Sequence, residues 1–264
     1  MRSITIAVAA HKPYRFPDDS AYLPLQVGSS LHPDVCLGIR RDNEGDSISE
    51  KNASYSELTA LWWMWRNCDA GYKGLVHYRR YLGSPNAARR HAADRFDRIA
   101  TQAEFDFLFE GCDIVLPRKR HYVIETVYSH YAHTFDARHF DLCRGVLAEI
   151  HPECVDAWDR HMLSRSAHIL NMFVMRSGLF DSYCEWLFPV LAELERRVDA
   201  DGYSAFESRW VGRVSERLLD PWLMANGFAF IELPVVSTEK VDWISKGKGF
   251  LKAKYLGEKY QRSF

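Results

Sequence analysis

The alternation of apolar and polar residues predicts short buried strands separated by amphipathic helices. Several apolar runs are too short for helices and are bounded by polar or turn-forming residues, which is typical of strands in a largely buried sheet. By contrast, several prolines interrupt residues 14–34, so this stretch is predicted to be a loop or lid. The predicted strands cover residues 4–10, 35–39, 113–117, 168–175 and 228–236, together with a strand that begins at residue 74.

Helical spacing and capping signals predict the helices. Ser54 and Glu57 form a capping-box pattern before an apolar stripe that runs to about Asn67, and Thr101 and Glu104 form a second one. Pro189 is expected to kink a long helix. The other predicted helices cover residues 137–150, 153–162, 178–198 and 214–226.

The order of these elements predicts the fold class. Strands that alternate with helices indicate an α/β domain with a mostly parallel central sheet flanked by helices. We expect one domain at residues 1–238, followed by a basic, aromatic tail at residues 239–264. The first ten residues are interpreted as a strand and not as a signal peptide, and no stretch is long enough to span a bilayer.

The strongest candidate for chemistry is the end of the strand that begins at residue 74. The apolar run leads directly into His77, Tyr78, Arg79 and Arg80. Ligands bind at the carboxyl edge of open α/β sheets, and paired guanidinium groups favour phosphate. The alternative is an edge strand whose arginines pair with acidic side chains. We favour an anion site because a buried strand leaves these charges few solvated positions.

Composition and motif content exclude several classes of protein. The formal net charge of -1 argues against a general nucleic-acid-binding surface. Six scattered cysteines without a C-x-x-C pair indicate reduced thiols in a cytosolic protein. His130 and His133 have only half of a zinc-ligand spacing, so no metal site is predicted. The chain lacks G-x-S-x-G, P-loop and G-x-G-x-x-G motifs.

A second candidate region, residues 42–59, is dense in hydrogen-bonding side chains. It includes a predicted helix start, whose free N–H groups suit an anion or a sugar hydroxyl. Ser54 and Glu57 could equally be simple caps. Lys51 and Asn52 are interpreted as ligand-binding residues, because capping does not require them.

A combination of short motifs links these regions to a known family. The motifs are D-N-x-G-D-x-I-S-E-K-N (42–52), Y-x-E-L-T (55–59), G-L-x-H-Y-R-R-Y (74–81), N-M-F (171–173), W-L-F (186–188) and S-E-R-L-L (215–219). Together they resemble a family of bacterial glycosyltransferases of capsule, exopolysaccharide and O-antigen biosynthesis, long described only as a domain of unknown function. The resemblance extends from His11 to about Val236.

The resemblance implies a GT-A-like fold and transfer of a hexose, with galactofuranose or galactose favoured, from a UDP-sugar, with inversion. It also implies roles for individual residues. The implied catalytic residues are Glu216, Asp42 and His77. The implied donor-binding residues are His11, Lys12, Asn43, Glu50, Lys51, Asn52, Tyr55, His77, Tyr78, Arg79 and Arg80. The implied acceptor-binding residues are His130, His133, Asn171, Glu207 and Arg209.

The motif at residues 77–80 departs from the usual GT-A pattern, in which Asp-x-Asp holds the donor diphosphate through a divalent metal. Cations can neutralise a leaving diphosphate directly, so we expect no required cofactor. Glu216 is the expected general base, with Asp42, Glu50 and Glu207 next in line. Alternatively, Glu216 pairs with Arg213 or Arg217 along its helix.

Two other functions remain open on sequence alone: a phosphate-handling hydrolase that uses the same arginines, and a non-catalytic polyanion- or RNA-binding module. No RNA-recognition signature supports the latter. For the glycosyltransferase, the expected partners are a UDP-sugar and a glycan or lipid-linked glycan, with no nucleic acid. A cytoplasmic protein is expected, with the tail from residue 240 in contact with the inner face of the membrane.

Overall fold

A mixed β-sheet forms the centre of the protein in the computed structural model, which describes residues 2–239. Its strands are β1 (Ile4–Ala10), β2 (Tyr22–Gln26), β3 (Arg40–Arg41), β4 (Tyr72–His77), β5 (Arg80–Leu82), β6 (Ile114–Pro117), β9 (Phe173–Arg176), β10 (Ile231–Leu233) and β11 (Val235–Ser237). A small separate sheet pairs β7 (Arg120–His121) with β8 (Ser166–Ala167).

Helices connect the strands and cover the sheet. They are α1 (Asn52–Tyr55), α2 (Leu58–Asn67), α3 (Gln102–Leu108), α4 (Val127–Ala132), α5 (Arg138–Ile150), α6 (Val155–Leu163), α7 (Ser177–Arg197), α8 (Trp210–Ser215) and α9 (Leu219–Asn226). None of the helices within residues 2–239 is both long enough and apolar enough to cross a bilayer.

The sheet confirms the predicted fold class. Its main strand order is β10-β6-β9-β4-β1-β2-β3, and β1 pairs in parallel with both β2 and β4. Within this order β9 runs antiparallel between β4 and β6, and beside it β5 pairs antiparallel with both β4 and β11. The carboxyl ends of β1, β2, β4 and β6 therefore lie at one edge of the sheet, and β9 begins at that same edge.

Alternation along β1 separates two cores, one on each face of the sheet. Ala7 and Ala9 join the core that includes α2 and α7, whereas Ile6 and Val8 join the core on the opposite face. Gly74 in β4 allows β9 to approach closely, because a Cβ atom there would lie 2.7 Å from the carbonyl oxygen of Phe173. Both faces of the sheet are thus buried, and polar ligands are left to its edge.

Several predicted elements differ in the structure. Strand β2 lies within the predicted loop at 14–34, and the strand predicted at 35–39 is wrong, since β3 comprises only Arg40–Arg41. Strand β2 includes Pro24, which disfavours a strand on sequence grounds. The predicted capping box of Ser54 and Glu57 is also wrong. A positive φ of 53° at Ser56 ends α1, and α2 begins only at Leu58.

Further along the chain, three predicted elements are shorter or divided. The strand predicted at 168–175 is confined to β9, because residues 168–172 form an irregular approach to it. The helix predicted at 214–226 is two helices, α8 and α9. The last predicted strand is divided at Pro234 into β10 and β11.

Other predictions are confirmed. The capping box at α3 is present, with the Thr101 N–H donating to Glu104 Oε2 at 2.9 Å. Helix α7 matches the predicted long helix and contains Pro189, whose expected kink stays a prediction. The predicted tail from residue 240 lies outside the described residues, so the boundary between domain and tail also stays a prediction.

Candidate functional site

The candidate site lies at the edge where the parallel strands end. His11 and Lys12 follow β1, Gly28 follows β2, His77 ends β4, and Asn171 precedes β9. The topology therefore brings together residues that are far apart in sequence, at the position where α/β sheets bind ligands.

Tyr78 and the positively charged or imidazole side chains that contact its ring form a cluster at this edge, which we call the platform. Tyr78 is buried, and three cationic or imidazole groups contact its ring: His11 edge-on at 5.2 Å between centroids, Lys12 Nζ at 5.5 Å and Arg79 Cζ at 5.2 Å. Tyr14 packs edge-on against the same ring at 5.1 Å. Cation–π contacts of this kind hold positive charges in place without neutralising them.

The positive charge around Tyr78 affects the pKa of His11. Partial burial, and then the nearby charges of Arg209, Arg79, Lys12 and His32, lower the pKa of His11 below its usual value of 6.5. An imidazole that resists protonation among such neighbours lies in a positive potential, which favours an anionic ligand. Arg209, predicted to bind the acceptor, therefore belongs to this cationic group. His32 was not predicted.

Arg79 and Arg80 interact with three carboxylates beside the platform, those of Glu239, Glu57 and Glu216. Arg79 pairs with Glu239 at 3.3 Å. Burial, and then the charge of Arg79, lower the pKa of Arg80, whereas Glu216, Glu57 and Glu239 act in the opposite direction. Arg80 therefore interacts electrostatically both with Arg79 of the platform and with the carboxylates of Glu57 and Glu216.

Glu57, for which the sequence left open a ligand-binding role or a helix cap, contacts the same edge. Its Oε1 accepts a hydrogen bond from Asn171 Nδ2 at 2.6 Å. The same nitrogen donates to the Gly212 carbonyl at 3.0 Å, and Asn171 Oδ1 accepts from Ser215 Oγ at 3.1 Å. Asn171 thus joins α2, α8 and the start of β9, and the Ser56 backbone turns Glu57 toward this junction.

Glu216 is the residue that ends α8, and its side chain is about one-fifth exposed. Its Oε2 accepts a hydrogen bond from the buried guanidinium of Arg217. The ion pair that we gave as the alternative role is thus present. Arg217 fixes one carboxylate oxygen, and the carboxylate also acts electrostatically on Arg80. These features suit an oriented base as well as a structural pair.

Backbone strain is concentrated at the same edge. Within residues 2–239, the non-glycine residues with positive φ are Ser56, Leu170 and Asn171. Each conformation costs roughly 1–3 kcal/mol, and such strain clusters at functional sites. His77 stabilises the Leu170–Asn171 turn, because its Nε2 donates to the Leu170 carbonyl at 2.5 Å. The geometry therefore gives His77 a positioning role.

Asp42 was predicted to be catalytic, and the structure places it after β3 in a buried hydrogen-bond network. It is fully buried, and its two oxygens accept from the N–H groups of Gly28 and Ser29 at 2.8 and 3.0 Å. The hydroxyls of Ser49 and Thr59 donate at 2.6 and 2.7 Å. With its oxygens enclosed in this way, Asp42 shapes the loop after β2.

The predicted ligands Lys51, Asn52 and Tyr55 also have internal partners. Lys51 Nζ and the Tyr55 hydroxyl both contact Glu195 Oε2 on α7, at 2.6 and 3.2 Å. Asn52 donates to the Ser56 carbonyl at 2.7 Å, and its Oδ1 lies 2.6 Å from where a Gly28 Cβ would be. These residues pack the segment against α7 and β2. Asn43 and Glu50 are exposed.

Three predicted acceptor residues have hydrogen-bond partners within the protein. His130 Nδ1 and His133 Nδ1 contact opposite oxygens of the buried Glu125, at 2.7 and 2.6 Å. Burial acts to raise the pKa of Glu125, but these hydrogen bonds hold it below its usual range. Glu207 is exposed and accepts from the Ser204 hydroxyl at 2.7 Å.

GT-A-like folds suggest a divalent metal as cofactor. Whether such a metal could bind depends on which side chains at the edge can act as metal ligands. Strand β4 ends in His77, and Tyr78, Arg79 and Arg80 follow it, so cations stand where carboxylate ligands would be needed. Within residues 2–239, no group of three or more His, Cys, Asp or Glu side chains is arranged to hold a metal ion. These residues do not fit a metal site.

Comparison with solved structures identifies the class of protein. The structure matches WbbM, a bifunctional glycosyltransferase in its apo form, with a TM-score of 0.84 and 29% identity. The match covers 90% of this chain and 46% of that one, so the protein spans about half the length of this relative. The protein therefore has the fold of a glycosyltransferase domain.

The family is shown by sequence. The chain belongs to the family described as Domain of unknown function (DUF4422), whose model matches residues 5–227. No curated protein matches the chain. Glucosyl-3-phosphoglycerate synthase from Mycobacterium tuberculosis, solved with Mn²⁺, UDP and glucosyl-3-phosphoglycerate, is 11% identical over 96% of this chain and 77% of that one. Its TM-score of 0.33 is too low to carry an argument.

Proposed function

We propose that the protein is an inverting glycosyltransferase that moves a hexose, with galactofuranose or galactose favoured, from a UDP-sugar to a growing bacterial surface polysaccharide. The observation that carries the proposal is the cationic platform around Tyr78, which adjoins the carboxylates of Glu57 and Glu216 at the carboxyl edge of the sheet. The fold match to a glycosyltransferase domain supports the same class of reaction.

The platform suits the donor. The diphosphate of a nucleotide sugar is anionic, and negative charge grows on it as the bond to the sugar breaks. Arg79, Arg209 and Lys12 would stabilise that developing charge, because Arg79 and Lys12 are held against the Tyr78 ring and Arg209 donates to Ser56 Oγ at 3.2 Å.

The carboxylate side of the edge suits the acceptor. In our proposal, Glu216 takes the proton of an acceptor hydroxyl as its oxygen attacks the anomeric carbon. The carbon–oxygen bond to the diphosphate breaks on the opposite face, and its electron pair leaves with UDP, so the anomeric configuration inverts. Arg217 orients the Glu216 carboxylate, and Glu57 holds Asn171 beside it.

Donor binding should be stronger at lower pH. Partial burial, and then the nearby cations, lower the pKa of His11 in the free protein, and a bound diphosphate would raise it. Binding then takes up a proton, so the affinity for UDP-galactose rises as pH falls, by at most about tenfold per pH unit. Titration calorimetry at several pH values between 7.5 and 5.5 measures this.

The control for this prediction is His11→Asn, which cannot take up the proton. Its affinity should depend less on pH than that of the wild type. Equal slopes in the two proteins would exclude His11 as the linked group.

Transfer should proceed without a divalent metal, because the strand end at 77–80 supplies cations instead of carboxylates. Activity should therefore survive excess EDTA. A complete loss of activity that manganese or magnesium restores would contradict this prediction.

A thermal-shift screen of UDP-, GDP-, CMP- and dTDP-sugars tests the donor class. A UDP-sugar at a hundred times its Kd should stabilise the protein by about 2.7 kcal/mol, or roughly 5–10 °C in a chain of this size. Stabilisation by a GDP-, CMP- or dTDP-sugar would instead identify that nucleotide sugar as the donor. No stabilisation by any of them would contradict the proposed function.

A further inference from the structure

A second cationic surface lies beside the acceptor side of the site. It is formed where β7 pairs with β8, with Arg120 opposite Ala167 and His121 opposite Ser166. We call it the β7–β8 patch and define it by the side chains of Arg118, Arg120, His121, Val123, Ile124, Leu163 and Arg165.

Large aliphatic side chains in the patch are unusually exposed. The exposed fractions are 84% for Val123, 75% for Leu163 and 60% for Ile124. Val123 and Leu163 are the two most exposed large apolar residues within residues 2–239. Their segments adjoin, because the Tyr122 N–H donates to the Arg165 carbonyl and the Val127 N–H to the Ser164 carbonyl, and such exposed aliphatic groups in adjoining segments indicate a surface that has a partner.

The exposure results from how the loop is held. Val123 and Ile124 lie between two buried anchors, Tyr122 and Glu125. The Tyr122 ring packs on His130 with centroids 4.4 Å apart, and its N–H donates to the Arg165 carbonyl at 2.8 Å. Both oxygens of Glu125 are held by His130 and His133, as described above. The fold thus presents the two aliphatic residues outward.

The charge of the two segments that form the β7–β8 pair has mostly one sign. Residues 118–127 contain three Arg or Lys and one acidic residue, Glu125, which is buried between histidines. Residues 160–168 contain two arginines and no acidic residue. Arg118, Arg120 and Arg165 are exposed, and none of them forms an ion pair within the part of the chain that the structure describes.

We propose that the β7–β8 patch docks the protein on an anionic phospholipid bilayer. Aliphatic tips surrounded by cations match such a surface, because the tips can enter the interface while the guanidinium groups contact lipid phosphates. Beside Leu163 lies an open cavity of about 440 Å³, whose lining combines Phe140, Trp158 and Met162 with Asp141, Arg144 and Asp159. Because of these charges, the proposed apolar contact is limited to the aliphatic tips.

The position of the patch would also serve the reaction. Lys119, which follows β6 beside the patch, has its Nζ 3.7 Å from Asp220 Oδ1 on α9, and the anchor Tyr122 interacts electrostatically with Arg217, which binds Glu216. A docked bilayer would thus lie beside Glu216 and could present a lipid-linked acceptor to it. This last step rests on the proposed function, whereas docking itself does not.

Vesicle co-sedimentation of the full-length protein tests the docking. Vesicles of phosphatidylcholine mixed with phosphatidylglycerol should bind the wild type, less so as salt increases, and pure phosphatidylcholine should bind it weakly. The double variants V123S/I124S and R118Q/R165Q should each bind the mixed vesicles at least about tenfold more weakly. All these positions are exposed, so the fold and the affinity for UDP-galactose should be unchanged.

Matched controls lie away from the patch. Phe107 on α3 is 71% exposed, and Arg176 lies at the opposite edge of the sheet. The variants F107S and R176Q should bind vesicles like the wild type. If both patch variants bind as tightly as the wild type, or if V123S/I124S instead abolishes self-association measured by light scattering, the docking proposal is overturned. Since no donor is present, that outcome would leave the proposed glycosyltransferase activity standing.

Discussion

Replacement of Glu216 by glutamine should lower the rate of sugar transfer by roughly two to four orders of magnitude, the usual scale for loss of a general base. The amide has nearly the same shape but cannot take the acceptor proton. Because Glu216 lies on the carboxylate side of the edge, next to Arg217, the affinity for the donor should change little. Single-turnover transfer rates and UDP-galactose calorimetry measure the two quantities separately.

Glu57→Gln is the matched control for Glu216→Gln. Glu57 is the other carboxylate that acts on Arg80, but it already holds Asn171 through a 2.6 Å hydrogen bond. Glutamine can keep that hydrogen bond through its own oxygen, so a smaller effect on turnover is expected. Near-normal turnover in Glu216→Gln, with a large loss in Glu57→Gln, would transfer the base role to Glu57.

Replacing Arg79 or Arg80 with alanine should weaken UDP-galactose binding about ten- to a hundredfold. Hydrogen bonds to charged groups contribute about 1.5–3 kcal/mol each, and a diphosphate would lose one such partner. Arg79 contacts the Tyr78 ring directly, and Arg80 interacts electrostatically with Arg79 and with the carboxylates of Glu57 and Glu216. Calorimetry with each single variant measures the loss.

Two further variants separate the site from general charge effects. Arg176→Ala removes an exposed arginine at the far edge of the sheet and should leave donor affinity unchanged. Arg79→Lys keeps the charge but not the planar fork, so part of the affinity should return. Unchanged donor binding in both Arg79→Ala and Arg80→Ala would exclude a diphosphate at this edge.

The sequence was sufficient to predict the strand end at residues 77–80, because an apolar run that leads into four polar residues is a local signal. The fold class followed from the alternation of strands and helices in the same way. Strand β9 was harder, because its short apolar run gives no sign of its direction. Only the tertiary arrangement shows that it runs antiparallel between β4 and β6.

The rest of the site depends on contacts between distant residues. Glu57 has the pattern of a helix cap, and only the positive φ of Ser56 and the hydrogen bond to Asn171, which lies 114 residues away, give it a place at the edge. Arg209 reaches the vicinity of His11 through the loop before α8. Asp42 is the opposite case. Its sequence context is a polar turn, which is typical of an exposed residue, but in the structure it is buried and accepts four hydrogen bonds.

The central claim is that the cationic edge binds a nucleotide-sugar diphosphate and promotes its departure from the sugar. The most direct measurement is the release of UDP from UDP-galactose and UDP-galactofuranose, with and without a glycan acceptor. We expect release from one of them by the wild type, acceleration by acceptor, and a linked disaccharide product in inverted configuration. Release of UDP that no acceptor accelerates would indicate a hydrolase, and no release from any UDP-, GDP-, CMP- or dTDP-sugar would contradict the claim.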